Sequence, residues 1–166
     1  HRDLHSFPTR RSSDLGWRAS FLMLAVLALV VAGFGLGSFI YTRLAKRLVG
    51  LLGEHGLVAA GGAGLSVALA GLALAPSWWV VAAMQVPMGM AFYMFHGVLQ
   101  ARATEALPEA RATAVSAFAM ALFLGQSLGA LAFGAVLHAA GYGAVFAGAA
   151  VSVAALATWV ATMPAR

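Results

Sequence analysis

The stretch His55–Ala101, HGLVAAGGAGLSVALAGLALAPSWWVVAAMQVPMGMAFYMFHGVLQA, runs for 47 residues without an Asp, Glu, Lys or Arg. About 20 apolar residues make one membrane-crossing helix, because ~30 Å of hydrocarbon is spanned at 1.5 Å per residue. This stretch therefore holds two helices, and Ala75-Pro76-Ser77 is the place to divide them. Two further blocks have the same character. Residues 19–42 lack charge and are long enough for one helix. Residues 112–165 lack charge and hold two, divided at Ala140-Gly141-Tyr142-Gly143. Five spans follow, at about 21–41, 57–75, 78–99, 113–138 and 144–163. Alternation at period two is absent, which argues against a barrel, and helices satisfy their own backbone groups in lipid. The expected fold class is an all-α membrane protein, a bundle of five transmembrane helices.

Composition supports the same class. Hydrophobic residues make up 62% of the 166, charged residues 9%, and the mean hydropathy is +0.90. A soluble domain is about a quarter charged. So little charge cannot cover a soluble surface, which excludes a soluble enzyme, a nucleic-acid reader and a disordered tail. The sequence pI of about 10.8 reflects scarce acids rather than a basic patch. With no cysteine there is no disulfide framework or thiolate metal site. No cofactor and no metal is expected, and the lipid bilayer is the first partner.

Loop charges set the orientation. Arg43, Lys46 and Arg47 fall in the first connection, Arg102 and Arg111 in the third, and the turns at Pro76 and Gly141 carry none. Positive loops mark the cytoplasmic side. The C-terminus is then cytoplasmic, in a bacterial inner membrane, and Arg18 is the single charge on the wrong side. Trp17, Trp78, Trp79 and Tyr142 fall at the outer ends, as interfacial aromatics do.

The first fifteen residues, HRDLHSFPTRRSSDL, stand apart. They are polar, and they match in order the translation of a common short-read sequencing adapter. His1–Leu15 is expected to be non-native, with the native chain starting near Gly16. Removing it takes away three Arg and two Asp and leaves Glu54, Glu105 and Glu109 as the only acids.

Residues 21–166 resemble the C-terminal half of a major facilitator superfamily transporter. The most specific part is PEARATAVSAFAMALFLGQSLGALAFGAVLHAAGY. Pro108 and Arg111-Ala112 match a P-x-x-R-(G/A) loop, Gly125, Gly129 and Gly134 match recurrent helix glycines, and Gly141-Tyr142 matches a Gly-aromatic turn. GLGSFIYTRLAKRLVGLLGEHG resembles the family's basic loop with its R-L-A-D-R-like core. Here that core is Arg43-Leu44-Ala45-Lys46-Arg47, and Lys46 replaces the usual acid, which puts a charge relay through that acid in doubt. YMFHGVLQARATEALPEAR resembles an efflux-type branch. The resemblance implies that the five spans are helices eight to twelve and that one helix of the C-terminal six, together with the N-terminal half, is missing. Most helical carriers are built of paired repeats, so an odd count fits a truncated unit of six.

Polar groups inside spans are costly and suggest function. Gln85, Gly89, Tyr93, His96 and Gln100 recur at helical spacing and share one face of the third span. That face is expected to line a cavity for a small-molecule substrate, with Gln85 and Tyr93 hydrogen-bonding to it; the plain alternative is helix–helix hydrogen bonding. Pro87 and Gly89 could loosen the backbone beside them. His96 is either proton-responsive or, nearer the inner end, a gate or packing residue. Ser116, Gln126 and Ser127 mark the fourth span as a second lining helix. The second and fifth spans carry only Ser66, Ser152, Thr158 and Thr162 and are expected to be peripheral and lipid-facing.

Arg43, Lys46, Arg47 and Arg111 are the candidate gating residues. Arg111 either pairs with Glu105, Glu109 or an acid of the missing half, or simply sets topology. Gly33/Gly37 and Gly125/Gly129 form small-xxx-small packing surfaces. Gly125-Gln126-Ser127-Leu128-Gly129 also spells G-x-S-x-G, but a nucleophile elbow needs a strand before the serine. The chain is therefore expected not to be an enzyme but a secondary transporter working by alternating access, with efflux the favoured direction. A non-transporting membrane subunit or an intramembrane enzyme is the alternative.

Overall fold

The computed structural model describes residues 10–163, which form helices throughout: α1 (Arg10–Ala73), α2 (Trp78–Glu105), a single 3-10 turn at Pro108–Ala110, and α3 (Arg111–Thr162). Among the described residues there is no strand. Each of the three helices is long and apolar enough to cross a membrane. Of the adapter-like segment, residues 1–9 lie outside the described residues, and residues 10–15 form the first turns of α1.

Two of the helices are interrupted. Gly53 in α1 (φ 63°, ψ −175°) and Gly141 in α3 (φ 78°, ψ 178°) have non-helical backbone, and they are the only described residues with positive φ. Extended ψ at positive φ is open almost only to glycine, because a Cβ there meets the backbone. α1 thus has limbs at 10–52 and 54–73, and α3 has limbs at 111–140 and 142–162.

Side-chain neighbours give the direction of each limb. Along the first limb of α1, Gly33 lies beside Gln85, Gly37 beside Val86 and Met90, and the Tyr41 hydroxyl beside Gly97, so this limb runs parallel to α2. The second limb is antiparallel to α2, pairing Gly71 with Met84, Gly64 with Ala91, and Gly61 with Met94 and Phe95. The second limb of α3 runs antiparallel to it in turn, Gly143 meeting Ala73 and Gly62 meeting Ala157. Phe118 faces His96 and Phe133 faces Phe146, which sets the first limb of α3 antiparallel to both α2 and its own second limb. The chain reverses at Gly53, at 74–77, at 106–110 and at Gly141. Glu54, Arg102, Arg111 and the end of α3 consequently meet at one end, while Trp78, Trp79 and Tyr142 mark the other.

The basic segment Arg43–Arg47, expected in a loop, is helical. The first limb of α1 continues to residue 52 through Leu44, Ala45, Leu48, Val49 and Leu51. Charged side chains do not halt a helix, which continues until a breaker arrives, and the first breaker to act is Gly53. At the other end the same limb overshoots α2. Arg18 precedes Gly33 by about 22 Å of helix and Trp78 precedes Gln85 by about 10 Å. Arg18 therefore projects well past the Trp78 level, its guanidinium 5.6 Å from the Trp17 ring centroid. α2 is continuous through Pro87 and Gly89, so the loosening expected there does not break it.

Burial is concentrated where little polarity was found. The core joins Leu57 and Val58 of the second α1 limb, Met94, Phe95 and Val98 of α2, and Ala157 and Val160 of the second α3 limb, with Tyr41 and Leu48 packed against them. The limbs 54–73 and 142–162, expected to be peripheral, hold much of this core. The limb 111–140 buries only Ala114, and along 120–133 it is exposed all round. Small residues permit the contacts of the buried limbs. A Cβ added at Gly61 would lie 2.8 Å from the Phe95 nitrogen, and one at Gly62 would overlap Ala157. Such close approach brings the helices into extensive van der Waals contact.

Candidate functional site

The polar face of α2 is a helical property, since offsets of three and four residues return to the same side. The structure divides that face along its length. Gln85 is 7% exposed and is the only buried polar side chain among the described residues. It is wedged against Gly33, whose added Cβ would stand 3.1 Å from the Gln85 Cβ, and its amide donates a long 3.4 Å bond back to the Val81 carbonyl. Gln85 thus lies in the α1–α2 interface, not in an open cavity.

Two to three turns further on, rings from three helices gather. Phe34 of α1 is 5.6 Å from Phe92 and 6.3 Å from Tyr93, centroid to centroid. His96 stacks nearly flat on Phe92 at 5.2 Å and meets Phe118 of α3 at 5.5 Å. Tyr93 keeps 40% of its surface exposed. Backbone approach makes this possible: a Cβ at Gly89 would overlap the Phe34 carbonyl, so α1 and α2 touch directly just above the cluster. His96 thus touches α3 through the Phe118 ring.

At the charged end, Gln100 and Arg111 line an open groove of about 430 Å³ together with Thr104 and Glu105. The Thr104 hydroxyl donates to the Gln100 backbone carbonyl at 2.8 Å, and Gln100, Glu105 and Arg111 are exposed. The other expected site residues are scattered. Ser116 and Gln126 are exposed on the first limb of α3 and are not gathered with the α2 face. Arg43, Lys46 and Arg47 are exposed on α1, the Arg43 guanidinium 4.8 Å from the Phe39 ring centroid. Gly33 and Gly37 pack against α2, whereas nothing lies within 4 Å of a Cβ built at Gly125 or Gly129. Ser127 sits in mid-helix, its hydroxyl donating to the Phe123 carbonyl at 3.0 Å, so the strand-to-helix turn of a nucleophile elbow is missing there.

Sequence reasoning missed a clasp at the charged end. Arg102 Nε pairs with Glu54 Oε1, and Arg102 Nη1 donates to the Val160 carbonyl at 3.2 Å. Next to it, His55 Nε2 bonds the Met163 carbonyl at 3.1 Å. The clasp ties together the second limb of α1, the end of α2 and the end of α3. Its sequence signal was present: Glu54 is the one acid between Arg47 and Arg102, at the end where the chain reverses.

Comparison of the chain with protein-family models, with curated proteins and with solved structures finds no match.

Proposed function

We propose that the chain is part of a secondary transporter of the major facilitator type, carrying a small solute across the membrane by alternating access, with efflux the favoured direction. In this reading α1 and α3 each cross the bilayer twice, reversing at Gly53 and Gly141, and α2 crosses once. The charged end faces the cytoplasm of a bacterium and the Trp78 end faces outward. The C-terminus is then inside, and the N-terminal half of the carrier is the partner that completes the cavity.

The observation that carries the reading is the face of α2. In a chain of such low polarity, one helix presents Tyr93, His96 and Gln100 in succession, leading from an aromatic cluster to a charged groove. The most apolar membrane-length stretch of α2 is also less hydrophobic than those of α1 and α3. The resemblance of the Pro108–Tyr142 stretch to the family's tenth-to-eleventh loop and eleventh helix supports the same conclusion. Polar side chains in lipid are costly unless they border water, a ligand or a polar partner.

The test starts from the native gene. Its reading frame upstream of Gly16 is expected to encode about seven more spans weakly similar to these five. A start codon directly before Gly16 with nothing related upstream refutes the proposal. Solute flux through the complete protein in inverted vesicles then measures the activity, and His96→Gln separates coupling from packing. An unchanged pH dependence of flux removes His96 from proton coupling.

A further inference from the structure

No further inference is drawn: the strongest candidate, the apolar surface of the first α3 limb over residues 120–133 with its open glycines at Gly125 and Gly129, is an unpartnered helix face, and nothing in the structure shows what covers it.

Discussion

Replacing Gly37 by alanine tests the contact on which the α1–α2 pair depends. The Cβ would overlap the Val86 carbonyl, lie 2.8 Å from the Met90 nitrogen and 2.9 Å from the Val86 carbonyl carbon. All three are backbone atoms of a continuous helix, so no rotamer change relieves the clash and the two helices must separate. Overpacking of this kind costs about 1–3 kcal/mol. Gly35, two residues away on the same limb, is the control, because nothing lies within 4 Å of its Cβ. At Gly35 only helix propensity acts, and alanine gains about 1 kcal/mol there. One chemical change on one limb thus yields opposite signs, with a gap of about 2–4 kcal/mol between the variants. The assay is unfolding in mixed micelles, followed by far-ultraviolet circular dichroism as dodecyl sulfate rises. Gly37→Ala should unfold earlier than the unaltered chain and Gly35→Ala at the same point or later. Equal midpoints for the two variants would refute the parallel packing of the first α1 limb on α2.

The breaks at Gly53 and Gly141 should each resist substitution, since a side chain at such a left-handed φ costs about 1–2 kcal/mol; alanine at either position is expected to lower the micelle unfolding midpoint although neither site has a steric neighbour. The clasp should be asymmetric: Arg102→Leu frees the Val160 carbonyl as well as Glu54, whereas Glu54→Gln loses only the charge, so Arg102→Leu shifts the midpoint further. The pair itself contributes at most about 1 kcal/mol at this partial exposure, and equal shifts for the two variants would argue that the Val160 bond is idle. Single cysteines at Arg43 and Ser77 in this cysteine-free chain should react with an impermeant maleimide from opposite faces of the membrane; labelling of both from one face contradicts the proposed crossing pattern.

Much of the helix layout was legible in the sequence, and the reason is specific. Absence of charge from residues 19–42, 55–101 and 112–165 is a solvation statement, and Pro76 and Gly141 are conformational statements, so neither needed tertiary information. The first connection was misread because the charges of Arg43, Lys46 and Arg47 mark the water boundary, not the end of the helix. Gly53 ends it, and one glycine among 19 has no sequence feature announcing a positive φ. The α2 face was readable as a spacing, but its division was not. Gln85 is buried because Gly33 stands opposite, and that pairing depends on the register of two helices more than 40 residues apart. The clasp was hidden for the same reason. Glu54 and Arg102 are 48 residues apart and become neighbours only once the chain has reversed at 74–77.

The burial pattern carries the most general point. Polarity was used to sort lining helices from peripheral ones, and the limbs 54–73 and 142–162 were placed outside because they lack polar groups. In water that inference would have been reversed, since apolar helices go inside. If the helices cross a bilayer as proposed, neither direction follows, because lipid tails are as apolar as leucine and transfer free energy no longer sorts the faces. What sorts them is how closely two backbones can approach. The second limb of α1 carries Gly61, Gly62, Gly64, Ala68 and Gly71 and meets α2 and the second limb of α3 along its length. The first limb of α3 has glycines too, at 125, 129 and 134, yet no neighbour stands within 4 Å of a Cβ at any of them. Small residues therefore permit contact without assigning it. The assignment comes from reversals such as Gly53, which return one small-residue face against another. Moving a reversal should matter more than removing one glycine from a face: shifting the Gly53 break by one residue, with Gly53→Ala and Glu54→Gly together, rotates the second limb by about 100° and turns Gly61 and Gly64 away from α2.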